Sequence, residues 1–272
     1  MSINLQDLFS LEGRTAIVTG ASGLLGRQHC QALAAAGATV VAADLDLLAS
    51  GTLVNELSSD AFAHPLDVTD PDSIHALRDE VLRRTGRIDV LVNNAAINDM
   101  VEHPDQALEL SKFENYPLAA WKKSLEVNIT GVFLCSQILG THMAVAKQGS
   151  IINIASTYGL VAPNQSLYRN ESGQQVFYKS AAYPTTKGAV IAFTRFLAAY
   201  WGNAGVRVNA LSPGGVQNGQ ADFFTSAYSE RTPLGRMAAP ADYQGALLFL
   251  ASDASAYMTG ANLVVDGGFT IW

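Results

Sequence analysis

The sequence predicts an α/β fold, a doubly wound parallel sheet of about seven strands with helices on both faces. Short apolar runs alternate with amphipathic stretches along the whole chain, the order expected of strand–helix–strand units. Runs such as Ile88-Asp89-Val90-Leu91-Val92 are nearly all apolar, as strands become when helices cover both sides of a sheet. A tight glycine turn, Thr19-Gly20-Ala21-Ser22-Gly23-Leu24-Leu25-Gly26, joins the first apolar run to the first helix-like run.

Taken in order, strands are expected near residues 14–19, 39–43, 61–66, 88–92, 150–155, 206–210 and 262–265. The first helix should run from Leu24 to Ala36 and stop at Gly37. Longer helical runs fall at 118–147 and 183–202. Pro184 is tolerable only in a helix's first turn, so that second run should begin near 180–183. Residues 98–118 and 217–238 are less regular, and the second is expected to be a mobile lid. No repeat or linker divides the chain, so residues 1–272 read as one domain.

Composition narrows the function classes. Apolar content of 49% suits a globular core, and no apolar run of spanning length is evident. The start, MSINLQDLFSLEGR, lacks a charged-then-apolar signal pattern, which predicts a cytoplasmic protein. A net charge of −7 argues against nucleic acid as the main partner. Cys30 and Cys135 fall on helix-like stretches and read as small buried hydrophobes. With no CxxC and with scattered histidines, no metal site is expected.

The glycine turn has a specific chemistry. Glycines let the backbone approach a pyrophosphate, and the helix that follows offers unpaired N–H groups and partial positive charge. The second strand ends in Asp44, 24 residues after Gly20, near the offset of an acid that binds the adenosine ribose hydroxyls. A carboxylate there repels a 2′-phosphate, and neither Leu45 nor Asp46 supplies a cation, so NAD is expected over NADP. Arg27 should face solvent. The competing reading, that Asp44 caps the next helix, suits Asp46 at least as well.

Tyr183 and Lys187, in Tyr183-Pro184-Thr185-Thr186-Lys187, pair a phenol with an ammonium one helical turn on. A free tyrosine titrates near ~10, and bringing it to ~7 requires roughly 4 kcal/mol of preference for the phenolate. Lys187 and an oxidised nicotinamide can each supply part of that. The pattern is short and is most often a surface helix pair. Its weight comes from the glycine turn in the same chain.

With these pieces the chain resembles the short-chain dehydrogenase/reductase family in its single-domain form, over about residues 8–272. Further matching pieces are Asp67-Val68, Asn93-Asn94-Ala95-Ala96, Asn128-Ile129-Thr130-Gly131, Ser156, Ser212-Pro213-Gly214-Gly215-Val216 and Val265-Asp266-Gly267-Gly268. The resemblance implies a Rossmann fold and a catalytic set of Asn128, Ser156, Tyr183 and Lys187. Tyr183 would be general acid/base and Ser156 would bond the substrate oxygen. Lys187 would bind the nicotinamide ribose, and Asn128 would hold a relay water. By residue type alone, Ser156 is a turn residue and Asn128 a solvent-facing polar residue of a helix.

The same resemblance implies that Gly20, Ser22, Gly23, Leu25 and Gly26 cradle the cofactor, with Asp44 and Leu45 at the ribose. Asp67 and Val68 would flank the adenine, and Asn94, Ala95 and Ala96 would line the adenosine side. Pro213, Gly214, Val216 and Asn218 would meet the nicotinamide with Tyr183 and Lys187. The asparagine pair 93–94 also has a structural reading, tying strands together. The family usually forms dimers or tetramers, and the runs at 118–147 and 183–202 are the candidate interface.

Four departures stand out. The glycines are spaced GxxGxxG, with Leu24 where the single-domain form usually has glycine. Ala96 replaces a glycine, and Asn218 stands where threonine is common. Ser156 and Tyr183 are 27 positions apart, about twice the family's usual separation. The intervening segment, 157–182, is long and polar, and such loops tend to be functional. It is expected to overhang the substrate with Tyr158, Asn164, Gln165, Tyr168 and Arg169, or else to be a disordered insertion.

These readings converge on an NAD-dependent dehydrogenase of a secondary alcohol. A sugar or sugar derivative is the expected substrate, from a likeness to enzymes of bacterial surface-sugar and flagellin-modifying pathways. Arg169, Lys179, Arg231 and Arg236 are candidates to meet an anionic group. The alternatives are an NADP-linked reductase of 3-oxoacyl groups or small ketones, and a non-catalytic nucleotide sensor.

Overall fold

Seven parallel strands form one sheet in the order β3-β2-β1-β4-β5-β6-β7. They are β1 (Thr15–Thr19), β2 (Thr39–Asp44), β3 (Phe62–Pro65), β4 (Val90–Asn93), β5 (Gly149–Ile154), β6 (Val206–Pro213) and β7 (Asn262–Val265). The computed structural model describes residues 4–57, 60–98 and 107–272. Each predicted strand is present. β6 runs three residues past the expected end because Ser212 and Pro213 still register with Val264 and Val265.

Successive residues of a strand face opposite sides, and both sides are covered. Val18, Val40 and Ile152 pack with Leu33, Tyr243, Leu247 and Leu250 on one face. Ile17, Val41, Leu91 and Ile151 pack with Leu77, Leu139 and Met143 on the other. Cys30 and Cys135 are buried in these layers, and burial pushes both thiols up to about 12. The cysteines therefore serve as small apolar side chains.

Local signals set the helix ends. Asp46 caps Leu47–Asn55 by accepting the Ala49 N–H at 2.9 Å, which leaves Asp44 free of that task. Asp70 caps Pro71–Thr85, with proline in the first turn and Gly86 (φ +71°) closing the end. The helix Leu24–Ala35 stops before Gly37 (φ +94°).

One finding corrects the composition reading. The helical run Leu118–Ala146 is long and apolar enough to cross a membrane. Its apolar residues have another use, because Val132, Cys135, Leu139 and Met143 are buried in the core. The run contains π-type turns at Glu126–Thr130 and Ser136–Gly140.

Of the irregular stretch expected at 98–118, residues 99–106 lie outside the described residues. Short helical turns follow at Ala107–Ser111 and Phe113–Asn115. The segment 157–182 is built from 3₁₀ turns at Thr157–Gly159 and Gln165–Tyr168 and an antiparallel bridge between Arg169 and Gln175. The segment 217–238 holds the helix Asp222–Glu230.

Candidate active site

Strand order reverses between β1 and β4, since β2 and β3 lie to one side and β5 to β7 to the other. A crevice must open there at the carboxyl ends of the strands. A cleft of about 1040 Å³ occupies that position. It is lined by Ser156, Tyr183 and Lys187, and by Gly20, Ser22, Gly23, Leu25, Asp44, Leu45, Asp67, Val68, Asn94, Ala95, Ala96, Pro213, Gly214, Val216 and Asn218. Two of the expected site residues, Gly26 and Asn128, are not on its wall.

Each of those two has a structural place in the fold. A Cβ on Gly26 would stand 2.1 Å from the Gly20 carbonyl oxygen, so Gly26 lets the helix press against the loop from beneath. Asn128 is buried in the π turn, contrary to the solvent-facing reading. Its amide accepts the Ile97 N–H at 2.8 Å, donates to the Ile97 carbonyl at 2.9 Å, and donates to Thr186 Oγ1 at 3.2 Å. It thus joins the end of β4 to the helix that carries Tyr183.

At the cofactor end, Gly20 (φ +62°) turns the chain, and a Cβ there would meet Ala95 Cα at 2.8 Å. Asn94 donates to the carbonyls of Thr19 and Gly20 at 2.9 Å, while Asn93 donates to Asn153 at 2.8 Å. Both asparagines therefore tie strands together. Asp44 Oδ2 accepts the Ser22 N–H at 2.8 Å and Oδ1 accepts the Asp46 N–H at 3.0 Å. Each carboxylate oxygen retains further acceptor capacity, and Asp44 lines the cleft. Arg27 pairs with Glu56 at 3.0 Å, so its charge is already engaged. The open loop, the helix N-terminus and the acid fit a dinucleotide.

The helix that carries Tyr183 and Lys187 is Ala182–Trp201, which puts Pro184 in its first turn as expected. Lys187 is buried and donates to the Ile154 carbonyl at 2.7 Å, and burial pulls its pKa down to about 8. Ser156 caps the turn that follows β5, accepting the Tyr158 N–H at 3.1 Å. A Cβ on Gly159 would lie 2.8 Å from the Lys187 carbonyl, so only glycine lets the serine turn sit against the helix that carries Lys187. The Lys187 ammonium stands 5.7 Å from the Tyr183 ring centroid. A hydroxyl, a phenol and an ammonium thus share one end of the cleft.

The long segment contributes differently from expectation. Tyr158 and Tyr168 line the cleft, but Asn164, Gln165 and Arg169 do not. Asn164 caps the 3₁₀ turn, Gln165 hydrogen-bonds the Lys179 backbone, and Arg169 donates to Gln175 at 3.2 Å. Its polar residues hold the segment together and its aromatic ones face inward. Tyr168 packs against Phe177 (5.3 Å between centroids) and against Phe224 of the helix Asp222–Glu230 (5.2 Å). Phe177, Phe223, Phe224, Tyr228 and Met237 complete an apolar roof that sequence reasoning missed. The paired aromatics Phe223-Phe224 after the Pro213 turn were the available signal.

The four candidate cations also separate. Arg231 donates to Ser166 at 3.0 Å and Arg236 pairs with Asp242 at 2.5 Å. Of the four, only Lys179 lines the cleft.

A family model described as enoyl-(acyl carrier protein) reductase matches residues 20–270. The chain is a short-chain dehydrogenase/reductase. It is 36% identical over 271 residues to D-threitol dehydrogenase of Mycolicibacterium smegmatis, covering 97% of this chain and 95% of that protein. It is 33% identical to galactitol 2-dehydrogenase (L-tagatose-forming) of Cereibacter sphaeroides, covering 99% and 100%. Among solved structures it resembles a gluconate 5-dehydrogenase of Burkholderia cenocepacia in complex with NADP and tartrate. There the TM-score is 0.83 at 31% identity, covering 99% of this chain and 100% of that one. As a short-chain dehydrogenase/reductase, it is an NAD(P)-dependent oxidoreductase acting on CH–OH groups.

Proposed function

We propose that this short-chain dehydrogenase/reductase is an NAD-dependent dehydrogenase of a secondary alcohol in a polyol or sugar derivative, with Tyr183 as general base. The observation that carries the reading is the shared cleft. Ser156, Tyr183 and Lys187 meet at one end of it, and the glycine turn and Asp44 lie at the other. Ser156 would orient the alcohol oxygen, and Tyr183 would take its proton as the carbinol C–H bond breaks. When bound, NAD supplies the acceptor for the hydride that leaves with that bond's electron pair. Lys187, charged below about pH 8, favours the phenolate. Asp44 favours NAD because a 2′-phosphate would face a carboxylate, while Arg27 is held by Glu56.

The polyol substrate is supported by the D-threitol and galactitol dehydrogenase relatives. The aromatic roof favours a second reading, a bulkier apolar alcohol. The chain also presents Phe133, Phe196 and Tyr200, exposed on Leu118–Ala146 and Ala182–Trp201, as the face of a homodimer or homotetramer.

Fluorescence titration with NAD and NADP, followed by rates on D-threitol, galactitol and cyclohexanol, tests the reading. Tighter NADP binding refutes the cofactor assignment, and preference for cyclohexanol moves the substrate to the second reading.

A further inference from the structure

We propose that Lys179 is a specificity-determining residue that binds an oxygen on the carbon next to the reacting carbinol. The substrate then carries a vicinal hydroxyl or carboxylate. The inference rests on the dehydrogenase reading above and adds the structural requirement on its substrate.

The position of the ammonium is the first argument. Lys179 is only 7% exposed and lines the same cleft as Ser156, Tyr183 and Lys187. Its Nζ lies 4.5 Å from the Tyr183 ring centroid, closer than Lys187 at 5.7 Å. The phenol therefore has a lysine of the catalytic helix and a lysine of the inserted segment beside it. An alcohol bonded to the phenol oxygen has its neighbouring carbon one bond further into the cleft. An oxygen on that carbon falls within the reach of a lysine stationed beside the ring.

The second argument is how firmly the lysine is held. The Gln165 side chain brackets its backbone, accepting the Lys179 N–H at 2.8 Å and donating to the Lys179 carbonyl at 2.9 Å. Gln175 in turn donates to the carbonyls of Gln165 and Phe177, both at 2.7 Å, and the Tyr178 N–H donates to Ser111 Oγ at 3.0 Å. Two glutamines of the insertion, Gln165 and Gln175, thus hold the backbone at this residue. Preorganisation of that kind is what a recognition group requires.

The third argument is chemical. Lys179 donates to Asn98, whose amide also lines the cleft and can both donate and accept. A substrate oxygen reaching the ammonium would exchange with such a contact, taking an N–H donor that the protein now holds.

The test measures NAD reduction with 2,3-butanediol, lactate and 2-butanol by the wild type, K179M, K179R and Q165A. The wild type should favour the diol or lactate over 2-butanol by at least about tenfold in kcat/KM. K179M should cut that ratio about tenfold, mainly through KM, K179R should restore much of it, and Q165A should fall between. The 2-butanol rate reports that each variant is folded. Preference for the diol assigns the vicinal oxygen as a hydroxyl, and preference for lactate assigns it as a carboxylate. An unchanged ratio in K179M overturns the proposal alone. So does an equal loss on all three substrates with a shifted pH profile, which would make Lys179 a modulator of Tyr183. A wild type that binds NAD yet oxidises none of the three overturns the dehydrogenase reading and this proposal together.

Discussion

Lys187 donates to the carbonyl of Ile154 at 2.7 Å, two residues before Ser156. The ammonium is thus held by the strand that leads to Ser156, the serine proposed to orient the alcohol. Replacing it by K187M removes the charge and the tie at once. We expect kcat to fall by about 10²-fold or more at saturating alcohol and NAD, with NAD still bound. Y183F should lose as much or more, within the ~10²–10⁴ of a positioned acid/base group. Steady-state rates beside a cofactor titration check both, and near wild-type turnover in Y183F would refute the mechanism.

Gly159 gives a second handle on the same contact. Its missing Cβ is what allows the serine turn to lie against the Lys187 backbone. G159A should push Ser156 away from the phenol and cut kcat/KM by about tenfold or more, while leaving cofactor affinity within about twofold. Equal damage to NAD binding would mean the glycine matters only to folding.

Asp44, the proposed ribose-binding acid, is tied to the glycine loop, because it accepts the Ser22 N–H. D44N should weaken NAD about tenfold and move the NAD/NADP preference toward NADP by removing the negative charge. Titration of both cofactors decides the matter. An unaltered preference would confine Asp44 to holding the loop.

His29 is fully buried, neither ring nitrogen has a hydrogen-bond partner, and burial pulls its pKa down to about 3. The unfolded chain takes up a proton near pH 6.5 that the folded chain refuses until about 3, so stability falls as pH drops below 6.5. Each pH unit in that window costs up to ~1.4 kcal/mol, or roughly 2 kcal/mol at pH 5. H29L should lose that part of the acid sensitivity. Urea unfolding at pH 7 and pH 5 measures it, and parallel losses in both proteins would contradict the assignment.

Tyr168 fastens the inserted segment to the helix Asp222–Glu230 through Phe224. Y168A should raise the alcohol KM about tenfold and expose 160–180 to limited proteolysis, with NAD affinity intact. An unaffected KM would show that the roof does not meet substrate.

Much of this was legible in the sequence. Parallel strands buried on both faces leave nearly unbroken apolar runs, so β1, β2 and β4 were plain, and Gly20 to Gly26 placed the cleft. Asn128 was harder, since nothing local reveals that a helical asparagine lies in a π turn against Ile97. Gln165 was misjudged for a related reason. A polar loop side chain can face substrate or its own backbone, and only the fold decides which. Lys179 was one of four cations, distinguishable from Arg236 only once Asp242 was seen beside the arginine.

The insertion departs directly after Ser156 and returns directly before Tyr183, yet each of those residues is anchored by a different element, β5 and the helix Ala182–Trp201. Recasting the chain beyond the Gly159 contact, over 161–180, is therefore expected to leave Ser156 and Tyr183 in register. If the proposed roles hold, chemistry and selectivity are separable heritable traits, and new substrates can be acquired by editing that one stretch of polypeptide.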